Sequence, residues 1–128
     1  MKKYPFEKKE TYEHHFAIEV LRKWIEKEPH LIGIHYPVNT IIEHEFSLKG
    51  RLAFIPDLTV FIENDIFRLY EIVYSHPIDG FKLFKIQQYQ YFNNEYFDVV
   101  EVDATWIMKQ TKIPYKLKTL TTYQDIRK

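Results

Sequence analysis

The chain has 128 residues, of which 45% are hydrophobic and 17% aromatic, and its 18 basic residues balance its 18 acidic residues. This length fits one globular domain, and the composition excludes a disordered chain. The chain has no cysteine, which excludes disulfide bonds and zinc sites built on thiolates. No apolar run approaches the roughly 20 residues that a membrane span needs, so we expect a cytoplasmic protein with no membrane partner.

The first predicted element is an amphipathic helix over residues 11–27. Thr11 is placed to cap it, Glu13 lies in its first turn, where a carboxylate suits the helix dipole, and Pro29 ends it. Its apolar residues recur at helical spacing and comprise Phe16, Ala17, Val20, Leu21, Trp24 and Ile25.

Three strands are predicted to follow this helix. Alternating and β-branched residues indicate a strand over 40–48, in which Glu43 and Glu45 share one face by period two. Lys49-Gly50-Arg51 is its expected turn. The apolar runs 55–61 and 69–74 predict two more strands, which the polar break 63–65 joins as an antiparallel hairpin.

A second helix and a last strand complete the predicted order α-β-β-β-α-β. Residues 75–80 introduce the helix, which Asn93-Asn94 stops. Residues 96–103 are apolar enough to form a strand inside the sheet. The expected apolar face of the helix comprises Phe81, Phe84, Tyr89 and Phe92.

Asp57 and Glu71 place one carboxylate in each strand of the predicted hairpin. Ionised side chains are costly to desolvate there and repel each other, so a cation is a natural partner for the pair. We expect Mg²⁺, or alternatively Mn²⁺, because such ions prefer oxygen ligands and keep bound water that can attack a substrate. The competing interpretation is structural, since Pro-Asp commonly opens a strand and a lone Glu in a strand is commonly solvated.

Charge is distributed unevenly along the chain. Residues 104–128 contain six basic residues and one acidic residue, so this segment carries a charge of +5 and residues 1–103 carry −5. Such a segment either contacts phosphates or is simply a solvated charge run. The residues expected to bind nucleic acid are Lys109, Lys112, Lys116 and Lys118.

The six histidines include no pair at the i, i+4 spacing of a helical zinc site. His14 opens the first helix and His76 follows the strand that carries Glu71. Both are therefore candidates to contact a phosphate or to protonate a leaving oxygen. The alternative for His76 is that His76-Pro77 only shapes the turn.

Four short motifs occur in a characteristic order over about residues 10–103. They are Glu10-Thr11-Tyr12-Glu13-His14, the segment from Arg51 to Asp57, the segment from Glu71 to Pro77 with Asp79 and Lys82, and Val100-Glu101-Val102-Asp103. Together they resemble the PD-(D/E)xK nuclease superfamily, and within it the nuclease-like domain of competence proteins of the CoiA type.

The resemblance implies one domain over 1–128 with a restriction-endonuclease-like αβββαβ core at about 10–103. This α/β core has a central mixed four-stranded sheet flanked by helices, and residues 104–128 form a basic C-terminal extension. It also implies a Mg²⁺-dependent DNA endonuclease without a small organic cofactor. A homodimer is plausible because two sites can cut both strands of a duplex.

By position, Asp57 resembles the metal-binding aspartate of the superfamily and Glu71 its second acidic residue. Where the motif lysine should stand, this chain has Val73, which cannot orient water or stabilise a developing charge. Lys82 or Lys85 of the following helix is the expected replacement, and Lys82 is preferred. Glu13 and Glu43 are secondary candidates for the metal shell. The alternative is an inactive nuclease-fold protein that binds nucleic acid or a protein partner.

Overall fold

A computed structural model describes residues 8–48, 52–74 and 76–124 of the chain. Three helices, a short 3-10 turn at Pro29–Ile32 and seven strands make up this part. The helices are α1 (Lys8–Lys27), α2 (Gly80–Asn93) and α3 (Ala104–Lys109). The strands are β1 (Asn39–Ile42), β2 (Phe46–Leu48), β3 (Leu52–Phe54), β4 (Leu58–Ile62), β5 (Asp65–Val73), β6 (Asp98–Asp103) and β7 (Thr122–Tyr123). Within the described ranges, no helix is long and apolar enough to cross a membrane.

Five of the strands form one mixed sheet in the order β1-β4-β5-β6-β7. β5 and β6 are parallel and α2 connects them, whereas the other neighbouring strands are antiparallel. β2 and β3 form a separate antiparallel hairpin. The predicted mixed sheet flanked by helices is confirmed, but it has five strands instead of four because residues 122–123 pair with β6.

The sheet is covered on both faces. One face packs against α1 and α3, where Trp24 and Trp106 meet edge to face with 5.9 Å between ring centroids. The other face packs against Ile86 of α2 and against Phe46 and Phe54 of the hairpin. Because side chains alternate along a strand, Tyr70 and Ile72 point to the α1 face and Glu71 to the α2 face.

The predicted first helix and its end at residue 27 are confirmed, but the helix starts earlier than predicted. α1 reaches back to Lys8, so Thr11 lies inside the helix and does not cap it. Ala17, Leu21 and Ile25 are fully buried, as their spacing predicts, while Phe16 is exposed.

The single strand predicted over 40–48 is wrong. Glu43 adopts a left-handed backbone conformation, with φ of 53°, and breaks the chain into β1 and β2. β2 then leaves the main sheet to pair with β3. Glu43 and Glu45 therefore do not share a strand face. The predicted turn at Lys49-Gly50-Arg51 lies outside the described residues.

The predicted bounds of the second helix are confirmed. Of its predicted apolar face, Tyr89 packs against Phe46 and Phe54, but the other three residues do not face the core. Asp79 caps α2 by accepting the backbone N–H of Lys82 at 2.7 Å, and Asn94 ends it in a left-handed conformation. The side chains that face the sheet belong to Ile86 and Gln90. Phe81, Phe84 and Phe92 lie on the exposed side instead.

The basic C-terminal segment packs against the core over residues 104–124. Ala104 and Ile107 of α3 are fully buried against α1, and Ile113 and Leu117 pack partly buried on the same cluster. β7 then adds the last strand of the sheet. This anchoring leaves the lysines of the segment, Lys109, Lys112, Lys116 and Lys118, exposed to solvent.

Candidate functional site

Asp57 and Glu71 come together at one end of the sheet. Leu58, the first residue of β4, pairs with Tyr70 of β5. Asp57 and Glu71 are the next residues beyond that pair and therefore lie side by side. The backbone N–H of Asp57 donates to Glu71 Oε2 at 3.2 Å, and the N–H of Ile72 donates to Asp57 Oδ2 at 2.7 Å. Both carboxylates are buried. The structure therefore brings together the two acids that the sequence singles out.

His14 of α1 reaches the same cluster across the sheet. Its Nε2 lies 3.1 Å from Asp57 Oδ2 and 2.9 Å from the backbone carbonyl oxygen of Ile72. A carbonyl oxygen only accepts hydrogen bonds, so Nε2 carries the proton that is shared between these two oxygens. The hydrogen bond to Asp57 is the main cause that raises the pKa of His14 above its ordinary value of 6.5.

Lys82 of α2 brings a positive charge to the site. Its Nζ donates to Glu71 Oε1 at 2.9 Å, and both side chains are largely shielded from solvent. The Asp79 cap fixes the first turn of α2, which directs Lys82 back toward the strand ends. Val73 stands where the nuclease resemblance predicts a lysine, and its side chain brings no polar group to the site.

Burial and the neighbouring Asp57 charge raise the pKa of Glu71 from 4.5 to about 7. The Lys82 ammonium and the N–H of Asp57 act in the opposite direction. The neutral form of this carboxyl is therefore more favoured in the folded protein than in an unfolded chain.

An open cleft of about 230 Å³ gives solvent access to these groups. His14, Asp57, Glu71 and Lys82 all line it. The segment that leads from β5 into α2 forms its rim through His76, Pro77, Ile78 and Asp79.

Glu101 is a buried acid at this end of the sheet that sequence reasoning did not assign to the site. It stands beside Glu71 in the parallel register of β5 and β6 and is 2% exposed. Its Oε2 accepts the backbone N–H of Ile78 at 2.8 Å, which fixes the segment that forms the cleft rim. The signal in the sequence was a carboxylate in the middle of the apolar run 98–103.

The secondary candidates divide between the cleft and its surroundings. His76 lines the cleft rim. Glu13 accepts the hydroxyl hydrogen of Tyr74, and Glu43 Oε2 lies 2.7 Å from His15 Nε2. Lys85 places its Nζ 4.8 Å above the ring of Phe81. Glu13, Glu43 and Lys85 are therefore not among the side chains that line the cleft.

The backbone that follows the exposed lysines of the C-terminal segment pairs with Glu101. The backbone N–H of Leu120 donates to the carbonyl oxygen of Glu101, and the N–H of Glu101 donates to that of Thr121, both at 2.8 Å. The stretch that carries Lys112, Lys116 and Lys118 thus connects α3 to β7, and its last residues pair with Glu101.

The donor set suits Mg²⁺ better than zinc. Within the described part of the chain, no three His, Asp or Glu side chains are grouped closely enough to hold a metal ion among themselves. Mg²⁺ is commonly bound through only one or two carboxylates, with water and substrate oxygens completing the shell. Asp57 and Glu71 are therefore the residues that could hold such an ion.

Comparison of the chain with known protein families, with curated proteins and with solved structures finds no match in any of the three. The functional argument therefore depends on the geometry of the cleft.

Proposed function

We propose that the chain is a Mg²⁺-dependent nuclease that cleaves phosphodiester bonds in DNA, with a site of the PD-(D/E)xK type. The observation that carries the proposal is the meeting of Asp57, Glu71 and Lys82 in one open cleft. Two buried carboxylates with a lysine 2.9 Å from one of them supply both the ion ligands and the positive charge that phosphoryl transfer needs.

The order of elements supports a restriction-endonuclease-like core. When the β2–β3 hairpin is set aside as an insertion, the chain runs α1, β1, β4, β5, α2, β6, which is the expected α-β-β-β-α-β order. The strands β1, β4, β5 and β6 are adjacent and mixed in direction, and β7 extends the sheet beyond them. The proposed core therefore has an added edge strand.

Asp57 and Glu71 would hold Mg²⁺, which when bound lowers the pKa of a coordinated water and so supplies a nucleophile near neutral pH. Besides burial, the Asp57 charge raises the pKa of Glu71, and a cation between the two carboxylates would relieve this repulsion. His14 now donates to Asp57 Oδ2 and to the Ile72 carbonyl, so it competes with an ion for these oxygens.

The protein side chains have separate tasks in this proposal. Lys82 stabilises negative charge that develops on the phosphate, which is the work that Val73 cannot do. His14 carries a proton on Nε2 at the edge of the cleft, where it is placed to donate to a phosphate oxygen or a leaving oxygen. Glu101 holds the cleft rim through Ile78.

A catalytically inactive module of the same fold is the second candidate. Val73 favours it, because the motif lysine is absent from its usual strand. The contacts of His14 and Lys82 also favour it, since they satisfy both carboxylates without an ion. Such a module would bind nucleic acid, a protein partner or a second copy of the chain without cutting.

The test is a cleavage assay on single-stranded and duplex DNA with Mg²⁺, Mn²⁺ or EDTA. We expect metal-dependent cleavage by the wild type and a loss of at least about 100-fold in Asp57→Asn, because the ion would lose one of its two carboxylates. Asp65→Asn is the matched control, since Asp65 is an exposed acid at the start of β5. A folded wild type that cuts no DNA contradicts the nuclease and favours the inactive module. Equal cleavage by Asp57→Asn also contradicts the proposed site.

A further inference from the structure

The outer side of α2 exposes four large aromatic side chains. Phe81 is 63% exposed, Phe84 47%, Tyr91 66% and Phe92 63%. Phe84 follows Phe81 by three residues, and Tyr91 and Phe92 follow two turns further along. With 3.6 residues per turn all four fall on one helical face, opposite the buried pair Ile86 and Gln90. We call these four residues the α2 stripe. An apolar surface of this kind on a monomer usually marks a binding site.

The charged side chains of α2 itself have one sign, although Asp79 and Glu95 flank the helix. α2 contains two lysines, Lys82 and Lys85, and no acidic residue, although the chain has 18 acids. Lys85 Nζ lies 4.8 Å over the ring of Phe81, so the cation and the aromatic face are presented together. The partner that complements this surface has flat apolar groups and negative charge.

A second copy of the chain fits the α2 stripe poorly. A two-fold contact places the same surface on both sides, so it would bring Lys85 of the two copies into one interface with no acid of α2 to pair with it. Exposed bases joined by phosphates meet both requirements, because bases stack on aromatic rings and phosphates pair with lysines. Duplex DNA offers few exposed base faces, whereas single-stranded DNA offers one at each nucleotide.

We propose that the α2 stripe is a stacking platform for single-stranded DNA, which it guides into the cleft. This inference rests on the proposed function, whose substrate class it specifies. Phe81 precedes Lys82, and the Lys82 ammonium contacts Glu71 inside the cleft. A strand stacked on Phe81 and Phe84 would therefore lie beside the first turn of α2, which borders the cleft through Asp79 and Lys82. The substrate is a single strand, or a single-stranded end or flap of a duplex.

The test is binding of a fluorescent oligo-dT of about 12 nucleotides, measured by anisotropy in EDTA. The double variant Phe81→Leu with Phe84→Leu keeps apolar surface but removes the rings. We expect it to bind the single strand at least about tenfold more weakly and a duplex of the same length equally well, because stacking is lost. The pair Tyr91→Leu with Phe92→Leu should weaken single-strand binding in the same direction. Tyr36→Leu, at an exposed aromatic residue outside α2, is the matched control and should bind as the wild type does.

Unchanged single-strand affinity in the folded Phe81→Leu, Phe84→Leu variant overturns the platform, as does a wild type that does not bind the oligonucleotide. Sedimentation that shows a wild-type dimer, dissociated by substitutions in the stripe, assigns the surface to a second copy and also overturns it. The assay needs no metal and no cleavage, so its outcome does not depend on the ion that Asp57 and Glu71 would hold. Normal binding without cleavage contradicts the nuclease and leaves the platform standing.

Discussion

Lys82→Ala is expected to reduce metal-dependent cleavage by about 100-fold or more while the affinity for Mg²⁺ is kept. The Lys82 ammonium is the described lysine that contacts a site carboxylate, at 2.9 Å from Glu71 Oε1. Removing a donor that stabilises charge in the transition state typically costs this much in rate. Affinity for Mg²⁺ should stay equal or rise, because Lys82 competes with the ion for Glu71.

Lys85→Ala tests whether a lysine of α2 must lie in the cleft to support cleavage. Lys85 lies on the same helix, but its Nζ is over Phe81 and not in the cleft. We expect weaker DNA binding and a kcat within a few-fold of the wild type. Lys23→Ala on the exposed side of α1 is the neutral control. Full activity in Lys82→Ala would show that another group does this work and would direct attention to His14 and His76.

Val73→Lys tests the alternative that the site is inactive because its motif lysine is missing. Val73 ends β5 and lines the cleft, so a lysine there would reach toward Asp57 and Glu71. If the wild type does not cut DNA, weak cleavage by this variant would show that only the lysine is missing. The thermal stability of the variant must be measured first, because burying an ammonium is costly unless the carboxylates pair with it.

Glu71→Gln is expected to stabilise the metal-free protein at pH 8 and to change it little at pH 5. The pKa of Glu71 is raised from 4.5 to about 7, so the folded state binds this proton more tightly than the unfolded state does. The free energy of unfolding therefore falls as the pH rises through that window, by on the order of 3 kcal/mol if no other group responds. Glutamine does not ionise, so the variant should lose this part of the pH dependence.

His14 changes stability in the same direction. Its pKa is raised, so its contribution to the free energy of unfolding is fully present below 6.5 and is lost as the pH rises through the folded-state pKa. Urea unfolding in EDTA, followed by fluorescence of the two tryptophans, measures both effects. At pH 8, added Mg²⁺ should stabilise the wild type but not Glu71→Gln. If Glu71→Gln is less stable than the wild type at pH 8, the contact between Glu71 and Lys82 outweighs the cost of burying the charge.

Local sequence signals predicted the parts of the fold that depend on neighbouring residues. The β4–β5 hairpin was predictable because two apolar runs flank a short polar break, and this alone brought Asp57 and Glu71 together. The α2 cap was readable from Asp79, and it placed Lys82 in the first turn. These three residues of the candidate site were therefore accessible from the sequence.

The features that were missed depend on distant parts of the chain. The alternation in 40–48 looks like a strand, and nothing local shows that Glu43 turns left-handed so that β2 can join β3. α2 has large side chains on more than one face, so its periodicity could not tell which face the sheet buries. The placement of Glu101 beside Glu71 follows from a parallel register set by the whole β5-α2-β6 unit.

Titration calorimetry with Mg²⁺ and Mn²⁺ tests the central claim, that Asp57 and Glu71 jointly bind a divalent cation, most directly. The wild type, Asp57→Asn and the control Asp65→Asn are compared at pH 8, where Glu71 is mostly ionised. The account predicts one site in the wild type and in the control, with a dissociation constant of about a millimolar or tighter, and at least about tenfold weaker binding in Asp57→Asn. No binding by the wild type at millimolar ion, or equal binding by Asp57→Asn, would contradict it.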